Sequence, residues 1–273
     1  MLENLHNRLL GKKRPGIIFV HIPKTGGSSI SSALRKHYRL SKFNIKSEVT
    51  SLAAQKRFGI TRTDPGYNEA LQQFRMSLIF HEAQKRTRYI TGHFWVNEHL
   101  PTIKPLGYSI ITCLRNPVDR WFSHFLYGRY KEGSYGRIEE DIDEFLQSQE
   151  AESFGTTYVR YLGGIRDNRE YTSESAVERA ICNLDMFDMV GFLHQMDDFR
   201  THLKEITGFN LRPEHRRKSP ANTALKEKIK NSREIRNAVE KLCEPDLAVY
   251  EQALVKFPLG ACRKMHSESK IRT

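Results

Sequence analysis

The sequence predicts an α/β protein with a mainly parallel central sheet flanked by helices. Short apolar runs alternate with longer segments whose apolar residues recur at helical spacing. Glycine and proline turns separate these segments, and such an alternation is typical of parallel βαβ units. The chain has 273 residues, of which 38% are hydrophobic, so it is long enough to bury one large core.

The elements follow one another along the chain in this alternating order. The predicted strands are residues 16–21, 89–91 with Gly92 at the end, 108–114 and 189–192. The predicted helices are residues 29–38, 68–86, 117–130, 138–148, 173–184, 196–207 and 225–254, the last broken at Pro245. Residues 42–67 are predicted to be irregular. We expect an N-terminal extension over 1–15, one domain over 16–258 and a basic tail over 259–273.

The charge of the chain predicts affinity for anions. Lys and Arg number 44 against 32 Asp and Glu, a net charge of +12, which attracts nucleotides, acidic glycans, nucleic acid or anionic membranes. No apolar run approaches 18 residues and the N-terminus is no secretory signal, so we expect a soluble, cytoplasmic protein without a transmembrane segment. The four cysteines form no CxxC pair, and no metal site is predicted.

The segment 23–29, Pro-Lys-Thr-Gly-Gly-Ser-Ser, lies between the first strand and the first helix. Backbone N–H groups at a helix start bind anions, glycines allow close approach, and lysine and hydroxyl side chains add donors. The predicted ligand of this segment is a phosphate group. The segment is not a Walker A loop, because Lys24 precedes the glycines instead of following them. The predicted ligands are Lys24, Thr25, Gly26, Gly27, Ser28 and Ser29.

The segment 21–29, His-Ile-Pro-Lys-Thr-Gly-Gly-Ser-Ser, resembles the 5′-phosphosulfate loop of sulfotransferases that use 3′-phosphoadenylyl sulfate (PAPS). It is most similar to the carbohydrate branch that includes heparan sulfate 2-O- and 6-O-sulfotransferases. The resemblance implies a P-loop-kinase-like fold and a catalytic role for Lys24 beside the bridging oxygen between phosphate and sulfo group. A cation at that place stabilises the charge that develops on the leaving 3′,5′-ADP.

A second motif, Leu-Arg-Asn-Pro-Val-Asp-Arg-Trp-Phe-Ser over 114–123, follows the third predicted strand. Arginine suits a terminal phosphate because its fork donates two hydrogen bonds. The motif resembles the family's 3′-phosphate pattern R-x-P-x-x-R-x-x-S, which implies that Arg115 and Ser123 bind the 3′-phosphate. For Arg120, a surface pairing with Asp119 or Glu132 stays an alternative.

His93 is the predicted catalytic base. It follows the second strand directly after Gly92, and a Gly-His here resembles the segment with the catalytic histidine of the 2-O branch. Sulfo transfer to an alcohol needs such a base for the hydroxyl proton. The alternative bases are His99, Glu98 and Glu82. His21 is expected to be structural, and His124 to point away from Ser123.

Segments of the second half carry weaker resemblances. The basic loop 212–220 resembles one that closes over the nucleotide, which implies contacts from Arg216, Arg217 and Lys218. Asp246 and Tyr250 resemble a packing pair of the closing helix, and Arg160 is expected to face the acceptor or to stabilise the fold.

The function predicted from these motifs is sulfo transfer from PAPS to a hydroxyl of a carbohydrate, without a metal and without nucleic acid as partner. Two alternatives remain at this point. A nucleotide-dependent phosphotransferase would use the same loop with Mg²⁺ and an acidic ligand, yet the third strand ends in Arg115-Asn116. A non-catalytic polyanion binder would bind any polyanion in a salt-sensitive manner.

Overall fold

The structure is a computed structural model that describes residues 14–131, 136–164, 170–208, 210–211 and 223–258. Its centre is a five-stranded sheet in the order β2-β3-β1-β4-β5, in which every neighbouring pair is parallel. The strands are β1 (Gly16–Val20), β2 (Lys42–Ile45), β3 (Tyr89–Gly92), β4 (Tyr108–Leu114) and β5 (Met189–Phe192). This sheet confirms the predicted fold class.

Helices flank the sheet. They are α1 (Gly27–His37), α2 (Ser47–Phe58), α3 (Tyr67–Gln84), α4 (Pro117–Tyr130), α5 (Ile142–Phe145), α6 (Gln149–Gly155), α7 (Thr157–Gly163), α8 (Glu174–Asn183), α9 (Met196–Thr207), α10 (Thr223–Asn231), α11 (Arg233–Leu242) and α12 (Glu244–Lys256). Short 3₁₀ helices cover Leu100–Leu106, Leu184–Met186 and Leu193–Gln195. Within the described ranges, no helix is long and apolar enough to cross a membrane.

The central strands are buried on both faces because their side chains alternate between two apolar clusters. Ile18 and Val20 pack into a cluster with residues of α3, α7, α8 and α12. Ile17 and Phe19 pack on the other face with residues of α1 and α9. Each such side chain contributes about 1.5–3 kcal/mol of burial free energy, so the strand ends are held rigidly.

A third cluster fixes α4, the helix that carries the second motif. Trp121 and Phe125 pack against α5, α6 and α11, and the indole of Trp121 donates a 2.9 Å hydrogen bond to the carbonyl of Ala151. Asn116 caps the N-terminus of α4, and Pro117 occupies the first turn, where its missing N–H costs no hydrogen bond. This packing fixes the rotation of α4 relative to the sheet.

The prediction that residues 42–67 are irregular is wrong, because they contain β2 and α2. Strand β2 is an edge strand that pairs with β3 alone and fully buries only Ile45, so its sequence carries no apolar run. Helix α2 leaves Val49 and Leu52 exposed, so its apolar residues do not mark a buried face.

The predicted helices 173–184 and 196–207 are present as α8 and α9, whereas the predicted helices 138–148 and 225–254 are divided into shorter ones. The segment 138–148 contains only the four-residue α5, after which Ser148 caps α6. The break predicted at Pro245 is present, and Ser232 caps a further helix start within the same segment. Helix α7 was not predicted. The tail 259–273 and the extension up to residue 13 lie outside the described residues.

Candidate active site

The candidate site lies at the carboxyl ends of β1, β3 and β4. Because β1 lies between β3 and β4, the segments that follow these strands meet at one edge of the sheet. They begin with His21, His93 and Arg115. Ligands of open parallel sheets bind at this edge. The fold thus brings the loop, the predicted base and the predicted second phosphate ligand to neighbouring strand ends.

The loop after β1 turns sharply into α1. Lys24 and Gly26 both have left-handed backbones, with φ of 68° and 81°, and Gly26 is the N-cap of α1. A left-handed backbone costs a lysine about 1–2 kcal/mol. The first N–H groups of a helix lack intrahelical partners and lie at the positive end of its dipole. The turn therefore presents polar N–H groups and a lysine to an anion at the strand ends.

The glycines of the loop are required by packing within the protein. A Cβ on Gly27 would overlap the imidazole of His21, and one on Gly26 would lie 2.7 Å from Cδ1 of Leu193. Gly92, which precedes His93, makes room for the side chain of Ile45 in the same way. The sequence analysis attributed the loop glycines to close approach of a ligand, and these contacts give them a packing role within the protein as well.

The hydroxyl residues of the loop differ in exposure. Thr25 is fully buried and its hydroxyl donates a 3.0 Å hydrogen bond to the carbonyl of Ile22, so it holds the turn together. Ser28 is exposed and Ser29 is half-buried at the start of α1. The ammonium of Lys24 lies 3.9 Å from the ring centroid of Tyr127 on α4. This cation–π contact links the loop to the helix of the second motif.

His93 is held beside the loop in a defined tautomer. Its Nδ1 lies 2.6 Å from the carbonyl oxygen of His21, and the two imidazole rings are 4.4 Å apart. A carbonyl oxygen only accepts, so Nδ1 carries the proton and Nε2 has the free lone pair. Burial lowers the pKa of His93, and the charge of Arg75 lowers it further. A neutral imidazole with an available Nε2 has the properties of a general base.

The alternative bases have other surroundings. Glu82 accepts hydrogen bonds from Thr87 and Lys85, before the start of β3 and so at the opposite edge of the sheet. His99 and Glu98 are both exposed and lie 3.5 Å from each other. His93 is therefore the candidate that lies next to the loop.

Arg115 continues directly from β4. The hydroxyl of Tyr158 accepts a hydrogen bond from its backbone N–H and donates one to its carbonyl, which fixes the chain at the strand end. Its side chain is half-buried, and burial lowers its pKa. Ser123 lies two turns into α4 and is also half-buried. Both side chains keep partial access to solvent.

His124 follows Ser123 on α4 and packs against a neighbouring helix. Its ring stacks on Phe154 with centroids 3.8 Å apart, and its Nδ1 is buried. Burial holds its pKa well below the usual value, and the charges of Arg120, Lys24, Arg160 and His93 contribute. It therefore lies within electrostatic reach of the loop. Position 124 alone could not reveal this, because the rotation of α4 is set by the packing around Trp121.

Arg120 is buried beneath the site and not at the helix surface. Its guanidinium lies 3.7 Å from a carboxylate oxygen of Asp246 and donates to the carbonyl of Phe154. Asp246 accepts hydrogen bonds from the N–H groups of Tyr158 and Val159 at 2.8 and 3.0 Å. The two residues join α4, α7 and α12, so the predicted alternative of a surface ion pair for Arg120 is wrong.

The remaining predicted residues fall into three groups. Arg160 donates to the carbonyl of Ser153 and packs over the ring of Tyr171, which is a fold-stabilising arrangement. Tyr250 is buried and its hydroxyl lies 3.2 Å from Nδ1 of His194. Arg216, Arg217 and Lys218 lie outside the described residues. Among the residues that are described, no three His, Cys, Asp or Glu side chains come together as a metal site.

Comparison with known proteins identifies the family. Among solved structures, a sulfotransferase from Alicyclobacillus acidocaldarius is similar with 16% identity and a TM-score of 0.43, over 92% of this chain and 99% of that chain. A structure from the PezAT toxin–antitoxin system of Streptococcus pneumoniae is similar with 13% identity and a TM-score of 0.38, over 89% and 94% of the two chains. Curated protein sequences give no significant match. The model of the sulfotransferase family matches residues 7–252, and the chain belongs to this family.

Proposed function

We propose that the protein transfers the sulfo group of PAPS to a hydroxyl of a carbohydrate. The observation that carries the proposal is the neighbourhood of three strand ends, with the Lys24 loop after β1, His93 after β3 and Arg115 after β4. PAPS carries phosphate at both the 5′ and the 3′ position. The loop suits the first and Arg115 with Ser123 suits the second, because an arginine fork and a hydroxyl both donate to a terminal phosphate.

His93 acts as the base in this proposal. Its Nε2 takes the proton of the acceptor hydroxyl while the acceptor oxygen forms its bond to sulfur. The bond between sulfur and the bridging oxygen breaks, and 3′,5′-ADP leaves. The tautomer fixed by the carbonyl of His21 supports this role, because Nε2 is then the nitrogen that can accept.

Lys24 stabilises the leaving group. Negative charge develops on the bridging oxygen as the bond to sulfur breaks, and a fixed cation beside it lowers the barrier. The left-handed backbone of Lys24 and its contact with Tyr127 support a defined position for the ammonium. The N–H groups at the start of α1 add to the same field.

The acceptor in this proposal is a carbohydrate hydroxyl. The resemblance of the loop and of Gly92-His93 to the carbohydrate branch supports a sugar hydroxyl, and the net charge of +12 is compatible with an acidic glycan. A phosphotransferase is less well supported, because β4 is followed by Arg115 and Asn116 and not by a carboxylate that could hold Mg²⁺.

The proposal is tested by incubating the protein with PAPS labelled in its sulfo group and a panel of glycans and simple alcohols. We expect label to pass to a carbohydrate and 3′,5′-ADP to be released in equal amount. His93→Gln should lower turnover by about 100-fold or more. His99→Gln, on an exposed histidine, is the control and should keep wild-type turnover. Label transfer by His93→Gln at the wild-type rate would refute the base assignment.

A further inference from the structure

Arg75 is a buried arginine on α3 whose hydrogen bonds converge on the loop after β3. Only 6% of it is exposed. Its Nη1 donates to the backbone carbonyl of His93 at 2.6 Å, and its Nε donates to the hydroxyl of Thr50 on α2 at 3.1 Å. The carbonyl of His93 thereby receives a charge-assisted bond, which is roughly twice as strong as a neutral one. A buried guanidinium is costly to desolvate, so its presence at this place calls for a reason.

The backbone around His93 is tied to α3 at a second point. The side chain of Gln72, one turn before Arg75, accepts a 3.0 Å hydrogen bond from the N–H of Trp95. These two hydrogen bonds from α3 lie on either side of Phe94, which is fully buried. The imidazole of His93 is itself tied to the carbonyl of His21. The residue is thus held through its backbone by α3 and through its ring by the end of β1.

We propose that Arg75 is a positioning residue for His93, which fixes the backbone of the base so that Nε2 faces the acceptor hydroxyl beside the loop. The inference rests on the base role assigned to His93 under the proposed function. Placement of a catalytic group within a fraction of an ångström is worth a large factor in rate, because a misplacement of 1 Å costs up to about 100-fold.

Arg75 also acts on His93 through its charge. The groups that face His93 from the neighbouring elements are Arg75 on α3, His21 after β1 and His124 on α4. Both of these histidines have their pKa held well below the usual value, so each is neutral near pH 7. Arg75 is then the charged member of the set. Its charge disfavours protonation of His93 and keeps the base form populated at lower pH.

Two substitutions separate the charge of Arg75 from its geometry. Arg75→Gln removes the charge, so the pKa of His93 rises and the acid limb of the kcat/KM profile should move to higher pH than in the wild type. Arg75→Lys keeps the charge, but a single ammonium group cannot replace the two guanidinium nitrogens that donate to Thr50 and to the carbonyl of His93. It should keep the acid limb in place and lower kcat about tenfold. Both variants should bind 3′,5′-ADP like the wild type.

Gln72→Met is the matched control. It removes the hydrogen bond between Gln72 on α3 and the N–H of Trp95 without a change in charge. The acid limb of its kcat/KM profile should therefore stay at the wild-type pH. A merely structural role for Arg75 predicts instead that Gln72→Met and Arg75→Gln have the same pH profile.

The outcomes separate this inference from the proposed function. If His93→Gln turns over normally, the base assignment fails and the inference fails with it. If His93→Gln is inactive while Arg75→Gln and Arg75→Lys both keep the wild-type kcat and acid limb, only the inference is overturned. Should Arg75→Gln not fold, Arg75→Lys decides: a lowered kcat at unchanged 3′,5′-ADP affinity supports the inference, and a wild-type kcat overturns it.

Discussion

Two arginines of the second motif, five residues apart, have opposite surroundings. Arg115 is half-buried at the carboxyl end of β4, beside the candidate donor site. Arg120 is fully buried one turn into α4 and lies 3.7 Å from the carboxylate of Asp246. Burial raises the pKa of Asp246 from 3.8 to about 6, against the opposing effect of Arg120 and two backbone donors. One short segment thus supplies a candidate ligand and a buried ion pair.

A single motif can therefore combine two physical roles. A charge buried with its partner holds helices together, and removal of one partner leaves the other desolvated and alone. A cation at a strand end is available to a substrate anion. Substitutions in the Arg120–Asp246 pair should therefore change stability, whereas substitutions at the strand ends should change activity.

The largest effect is expected from Asp246→Ala. It leaves Arg120 buried without its carboxylate and removes the acceptor of two N–H groups of α7, so the free energy of unfolding should fall by about 3–5 kcal/mol. Denaturant unfolding measures this. Asp185→Ala is the control, because Asp185 is exposed and its pairing with Lys256 should contribute under about 1 kcal/mol. Equal losses in the two variants would contradict the structural role of the pair.

Lys24→Ala should have the next largest effect, in kcat and not in stability. Loss of the cation beside the leaving oxygen should lower kcat by about 100-fold or more. The melting temperature should fall by no more than about 4 °C, because alanine keeps the Cβ and the lost cation–π contact contributes only about 0.5–1 kcal/mol. Steady-state rates and thermal unfolding of the same preparation check both. Lys56→Ala on the exposed side of α2 should change neither, and wild-type turnover in Lys24→Ala would remove the assigned role.

Tyr127→Leu should have the smallest effect of the three. The ring of Tyr127 is partly exposed, and a cation–π contact at such a site contributes about 0.5–1 kcal/mol. Loss of the contact should lower kcat less than tenfold and leave the free energy of unfolding within about 1 kcal/mol of the wild type. A loss of kcat as large as that of Lys24→Ala would mean that Tyr127 does more than orient the lysine.

The sequence predicts the strands and the loop well because their signals are local. Apolar runs mark β1, β3, β4 and β5, which are buried on both faces, and the Lys-Thr-Gly-Gly pattern marks the turn into α1. Strand β2 was not predicted because it lies at the edge of the sheet, pairs only with β3 and fully buries only Ile45, so its sequence has no apolar run. Local signals of this kind vanish wherever a segment lacks a continuous apolar face.

The roles of single side chains were harder to predict because they depend on packing. Arg75 looks like any polar position of α3 until the fold brings it against the carbonyl of His93. Arg120 and Arg115 look alike in the sequence, but the fold buries Arg120 against Phe154 and Asp246 and leaves Arg115 half-buried. His124 stacks on Phe154, a contact between α4 and α6 that depends on how the two helices pack. None of these contacts follows from spacing along the chain.

In the proposed function, the segments after β1 and β4 form two phosphate sites that match the two phosphates of PAPS. Calorimetry of 3′,5′-ADP and 5′-AMP, with the wild type and Arg115→Ala, tests it most directly. We expect the wild type to prefer 3′,5′-ADP, and Arg115→Ala to lose about tenfold or more in affinity for 3′,5′-ADP, since a charged hydrogen bond contributes about 1.5–3 kcal/mol. Its affinity for 5′-AMP should not change. Equal wild-type affinity for both nucleotides, or an equal loss for both in Arg115→Ala, would contradict the account.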